Sequence, residues 1–149
     1  MPGGAIAVAS DHAGFDLKEI LKRDLQEAGL EVLDLGTNST QSVDYPDFGT
    51  AMADAVASGK ARRGVLVCGT GIGISMAANR NPKVRAALVH DVTSARLSRQ
   101  HNDANVVAFG QRLIGTETAR EALKVFLGTK FEGGRHAGRV AKLSKGCMK

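Results

Sequence analysis

The chain has no tryptophan, one tyrosine, two cysteines, three prolines and no uninterrupted apolar run longer than five residues in 149. Each shortage excludes something. A membrane-spanning helix needs about 20 consecutive apolar residues. Met1 to Gly14 has neither such a run nor a basic start, so no secretory leader or transmembrane segment is expected. Cys68 and Cys147 stand 79 positions apart, with no Cys or His at C-x2-C or H-x3-H spacing, which leaves no zinc ribbon and no disulfide framework to read. A reducing, cytoplasmic setting is the expectation. Aromatic residues make up 4% of the chain, too few for the stacking platform of a single-stranded nucleic-acid binder.

Charge of one sign is scarce over most of the chain as well. The net charge is +5, yet Lys130, Arg135, Arg139, Lys142, Lys145 and Lys149 against the single acid Glu132 account for all of it. The remainder is balanced, so the basic character belongs to a tail and not to a groove that could track nucleic acid. No repeat, linker or low-complexity segment interrupts the sequence, and one domain over 1–149 is expected. At this size folding buries roughly 68–70% of the unfolded surface, enough for a core without staples.

What is present is an alternation. Apolar runs at Ala5–Ala9, Val32–Leu35, Val65–Val67, Ala86–Val89 and Val106–Phe109 read as buried parallel strands. Between them, Leu17, Leu21, Leu25 and Ala28, then Phe48, Met52, Ala55 and Val56, and later Ala119, Leu123 and Phe126 follow helical spacing. The pattern predicts a three-layer α/β/α domain around an open parallel sheet. Thr116 suits a helix start, Gly29 and Gly128 suit helix ends, and the polar stretch Thr37–Tyr45 reads as a loop.

In such sheets ligands bind beyond the carboxyl ends of the strands. There the sequence places Ser10-Asp11-His12, then Cys68-Gly-Thr-Gly-Ile-Gly-Ile-Ser75, then His90-Asp91, then Gly110-Gln-Arg112. The alternating glycines suit a cradle of backbone N–H groups for an anion. They are not a dinucleotide fingerprint, which needs Gly where Ile74 stands, and no Gly-Lys-Ser or Gly-Lys-Thr completes a P-loop. Cys68 beside that cradle is either a base or nucleophile, with amides favouring the reactive thiolate, or a small hydrophobe ending a strand. His12 and His101 are proton-exchange candidates or plain surface histidines. His90 reads as the latter, with Asp91 capping the next helix. Arg135, Arg139 and Lys142, at i, i+4 and i+7, form a cationic stripe beginning with His136 that suits a phosphate or simply faces water. Cys147 reads as part of a frayed end.

Seven segments taken in order carry a resemblance. Ser10-Asp-His-Ala-Gly14, Asp34-Leu-Gly-Thr37, Asp44-Tyr-Pro46, Cys68 to Ser75, Ser98-Arg-Gln-His-Asn-Asp103, Asn105 to Gly110 and Glu132-Gly-Gly-Arg-His136 together resemble the type B ribose-5-phosphate isomerases. That family is shared with lactose-pathway sugar-phosphate isomerases, and the likeness runs from Ala5 to about Val140. It implies a Rossmann-like fold with a five-stranded sheet and a basic C-terminal helix. The implied reaction interconverts ribose 5-phosphate and ribulose 5-phosphate through an enediolate, in the non-oxidative branch of pentose phosphate metabolism, with neither metal nor organic cofactor. A six-carbon substrate such as allose 6-phosphate or galactose 6-phosphate is the alternative.

By the same resemblance Cys68 is the base and Thr70 moves a proton between O1 and O2. Gly69, Gly71, Ile72 and Gly73 supply the anion hole, and His101 opens the sugar ring. Asp11 and Asn102 hold hydroxyls, while His12, Arg112, Arg135 and Arg139 hold the phosphate. The cleft lies between two subunits of a homodimer, with residues 130–149 against the partner and a tetramer left open; neither nucleic acid nor membrane is a partner. Another branch has Gly in place of Cys68 and a Glu base six residues on, where this chain has Ile74. Ser10 stands where other members carry Cys or Ala.

Overall fold

A computed structural model describes residues 4–146, so Cys147 lies outside the described residues. Five strands, β1 (Ala5–Ser10), β2 (Val32–Asp34), β3 (Ala61–Cys68), β4 (Ala86–Leu88) and β5 (Val106–Gly110), form one parallel sheet in the order β2-β1-β3-β5-β4. The helices are α1 (Phe15–Glu27), α2 (Tyr45–Ala57), α3 (Ile72–Ala78), α4 (Val92–Gln100), α5 (Thr116–Gly128) and α6 (Arg135–Gly146), and a short 3-10 turn at His12–Gly14 precedes α1.

The strands are apolar throughout because both sheet faces are covered. Alternate side chains go to opposite layers. Ile6, Val8, Val65, Val67, Val107 and Phe109 meet Leu17, Leu21 and Leu25 of α1 and Ala119, Leu123 and Phe126 of α5. Ala7, Ala9, Leu66, Val106 and Ala108 meet Met52 and Ala55 of α2 and Ile74 and Ala78 of α3. Cys68 belongs to this second layer. The expected three-layer architecture is therefore the observed one.

Helix ends follow local chemistry, with one departure. Asp91 caps α4 as expected, its Oδ1 accepting the Ser94 N–H at 2.6 Å. Gly29 takes φ +82 just after α1. Gly128, in contrast, is the last helical residue and has no positive φ. Thr129 stops α5 by turning extended, while its Oγ1 donates to the Val125 carbonyl at 2.6 Å.

A lysine that the sequence does not mark ties the loop after β2 to α1. Lys18 is completely buried, and its Nζ donates to the Thr37 carbonyl at 2.6 Å and to Asp34 Oδ1 at 2.9 Å. Burial raises the Asp34 pKa, but hydrogen bonds from Lys22, the Gly36 N–H and Lys18 outweigh it and hold the carboxyl below its ordinary value. The anchored loop continues to Val43, whose N–H donates to His12 Nδ1 at 3.1 Å, and then to Tyr45 at the start of α2.

Lys18→Met strands a charge that is only partly wet, since the Asp34 side chain is 27% exposed. The expected loss is about 2–3 kcal/mol, under the value for a fully buried pair because Asp34 keeps Lys22 and water. Thermal unfolding should show Tm lowered by roughly 4–10 °C. An unchanged Tm would remove the anchoring role.

Candidate active site

The turn after β1 leads into α1 on one face of the sheet, and the turn after β3 leads into α3 on the other. Where two neighbouring strands send their chains apart, a crevice opens at the carboxyl edge. Here it is a cavity of about 480 Å³ lined by Asp11, His12, Ala13, Tyr45, Cys68, Gly69, Thr70, Ile72, Gly73, Met76 and Arg112. Eight of the residues singled out in the sequence come together in it.

Cys68 is 5% exposed, and its Sγ accepts the Gly71 N–H at 3.1 Å. The glycines that make this possible do three different things. Only Gly71 takes a left-handed φ, +77, and a side chain there would strike Leu88 and the Phe109 backbone. Gly69 leaves room for the Arg112 guanidinium, and Gly73 lies under the Tyr45 ring. Of the four amides expected to form the anion hole, that of Gly71 is taken by Cys68 Sγ and that of Ile72 by Thr70 Oγ1.

The Ile72 N–H donates to Thr70 Oγ1 at 3.2 Å, which leaves the Thr70 hydroxyl proton free to move. Among the described residues the Gly69, Thr70 and Gly73 amides have no protein acceptor. Unpaired amides beside the sulfur suit charge that develops on a substrate oxygen. Asp11 is 6% exposed and its Oδ1 caps the Gly14 N–H at 3.0 Å. His12 accepts from Val43 on Nδ1, so its proton sits on Nε2. Arg112 makes no ion pair among the described residues. Ser10 is fully buried with its Oγ unpartnered, consistent with a position where the hydroxyl is dispensable.

His101, Asn102, His136 and Arg139 line a different cavity of about 290 Å³, together with Val140 and Leu143. The reason is topological. Each helix of a parallel sheet runs back against the strands, so the end of α4 returns His101 to the edge where β5 starts. Cys68 pairs with Gly110 at the opposite end of β5, which is roughly 13 Å away by strand rise alone. Arg135 is exposed at the first turn of α6. Within one chain, then, the predicted residues form two groups on opposite sheet edges.

His136 leaves the cationic stripe expected of it and turns inward, stacking on His101 with centroids 4.4 Å apart and planes at 13°. Its pKa lies below the ordinary histidine value because of burial, reinforced by His101, Arg135 and Arg139 and opposed by Glu132. His90 is exposed and lines neither cavity, in line with the plain surface reading. Tyr45 and Met76, which sequence reasoning did not single out, line the Cys68 cavity. For Tyr45 the Asp44-Tyr-Pro46 helix start was the available signal; Met76 left none.

A sequence profile described as ribose/galactose isomerase matches residues 6–143. The chain belongs to the ribose/galactose isomerase family. Ribose-5-phosphate isomerase B of Escherichia coli K12 is 48% identical over 139 residues, covering 93% of each chain. A solved ribose-5-phosphate isomerase B of Clostridium thermocellum superposes with a TM-score of 0.94 at 48% identity and covers 95% of each chain. The type B enzyme of Trypanosoma brucei gives 0.93 at 43%, over 97% of this chain and 99% of that one. With relatives this similar along nearly their whole length, the fold is shared with them.

Because folding favours the neutral His136 ring, the unfolded chain binds the extra proton first as acid is added. Stability is therefore expected to fall as pH drops below about 6.5. NMR titration should place the His136 midpoint below 6.5, and Glu132→Gln should lower it further. A midpoint raised by that substitution would contradict the electrostatics described.

Proposed function

We propose that the chain interconverts ribose 5-phosphate and ribulose 5-phosphate, with Cys68 as the base. The observation that carries this is a buried sulfur already accepting an amide N–H, with unpaired amides beside it at the sheet's crevice. Cys68 thiolate takes the proton from C2 of the open-chain aldose, and the C–H electron pair moves into the C1–C2 bond as the carbonyl pair moves onto O1. Gly69, Thr70 and Gly73 amides receive that oxyanion, each worth about 3–4 kcal/mol in sites of this kind. The Thr70 hydroxyl transfers a proton from O2 to O1, and the thiol returns its proton to C1, giving the ketose. No proton or electron is gained or lost.

His12 Nε2 and Arg112 reach the phosphate from the Cys68 edge. His101, as acid and base for ring opening, acts from the other edge, with Asn102 on a hydroxyl and Arg135 and Arg139 on the phosphate. A head-on pair of chains, each laying α6 over the other's crevice, brings the two groups together, so a homodimer is the smallest competent unit. Exposed apolar side chains support this: Ile72 and Met76 at the crevice are 43% and 61% exposed, and Leu143 on α6 is 54% exposed. Exposed apolar side chains on both edges are what a partner chain would cover. A thiol kept as a working base also suits a reducing, cytoplasmic compartment.

Cys68→Ala should lower kcat by roughly 10²–10⁴-fold, the scale of a lost general base, with substrate binding little changed. Steady-state turnover of ribose 5-phosphate, with binding followed by calorimetry, checks it. Turnover within tenfold of the parent would reject Cys68 as the base.

A further inference from the structure

His101 at the end of α4, besides its proposed part in ring opening, stacks on His136 at the start of α6, and with Glu132 the two form a second arrangement. His101 Nε2 lies 3.9 Å and His136 Nε2 3.7 Å from the same oxygen, Oε1 of Glu132. One donor atom from each of the three residues fits within 4.8 Å of the others. Two imidazole nitrogens and one carboxylate oxygen are the ligand set of zinc and its neighbours, not of magnesium or calcium, which take oxygen. Around a tetrahedral ion with bonds of about 2.0–2.2 Å, donors stand roughly 3.3–3.5 Å apart. The two Glu132 gaps close by a few tenths of an ångström. The donor set as a whole spans up to 4.8 Å and the rings lie nearly parallel, so His101, 39% exposed, must leave the stack and turn its Nε2 inward while Glu132, 51% exposed, follows.

The backbone brings the three residues together before any ion arrives. The Glu132 N–H donates to the Gln100 carbonyl at 3.1 Å, tying Glu132 to the residue before His101. Gly133 and Gly134 both take left-handed φ, +68 and +55, and the His136 N–H closes on the Gly133 carbonyl at 3.0 Å. Glu132 and His136 thus face each other four positions apart, with His136 fixed by burial. The flanking Arg135 and Arg139 charges oppose a cation, so the affinity falls well short of a structural zinc centre.

We propose that His101, Glu132 and His136 bind a divalent transition ion of the zinc class, leaving one coordination position open, and that the bound ion inhibits the enzyme reversibly. Binding stands on the three side chains alone. Inhibition rests on the reading of His101 as the ring-opening residue, because an imidazole nitrogen that ligates a metal has no lone pair left for a proton.

The test is a zinc titration of the intact enzyme in chelator-free buffer, read by calorimetry, with cobalt substitution read by visible absorption and turnover of ribose 5-phosphate followed in parallel. One ion per chain at micromolar concentration is expected, with a tetrahedral cobalt spectrum, turnover lost at the same midpoint, and recovery on adding chelator. Glu132→Gln should raise the binding and inhibition midpoints together by about tenfold or more. His136→Gln should do the same, so neither variant's folding decides the matter alone. Zinc held instead by the Cys68 thiol would leave the Glu132→Gln titration unmoved and would overturn the site. Stoichiometric binding without loss of turnover would overturn the inhibition. A preparation that binds the ion but never isomerises ribose 5-phosphate would contradict the proposed function and leave the site standing.

Discussion

A parallel sheet with helices returning on its faces has two chemically different edges, and no helix can carry a residue from its own C-terminal end to the carboxyl end of a strand. That constraint decides how this protein's site is distributed. Cys68, the glycine loop, Asp11, His12 and Arg112 sit where strands end; His101, Asn102 and the α6 arginines sit where strands begin. On the proposed roles, groups acting on one small sugar phosphate are separated by the length of a strand. The proposed two-fold pairing would bring each edge of one molecule to the other edge of its neighbour.

Within the Cys68 half, precision comes from elements some distance from the sulfur. Gly71 supplies the left-handed residue that aims its own amide at Sγ. Buried Lys18 fixes the loop that fixes His12 through Val43 and sets Tyr45 over Gly73. A charge buried in α1 therefore supports a histidine in the cleft through backbone contacts, without touching it.

The strand runs were legible because both faces of a covered sheet demand apolar residues, so each strand is a continuous block. The Cys68 loop was legible because alternating glycines between a strand and a helix have few other uses. Lys18 was not, since a lysine next to Leu17 on an otherwise amphipathic helix reads as a solvated edge until its partners Asp34 and Thr37 are known. The inward turn of His136 was hidden for a similar reason: its burial depends on His101, 35 positions earlier. The strand order, with β5 between β3 and β4, also escapes local pattern, and it is that order which seats Gly110 against the Thr70 backbone. The segment resemblance supplied the site roles that spacing left open.

The separation of Cys68 from His101 within one chain is most directly tested by subunit mixing. Cys68→Ala and His101→Ala chains, each inactive alone, are exchanged and the hybrid is verified by mass. Random pairing makes half the dimers hybrid with one of two sites intact, so about a quarter of parental turnover should return. Confirmed exchange with no recovery would contradict a site completed by the second chain.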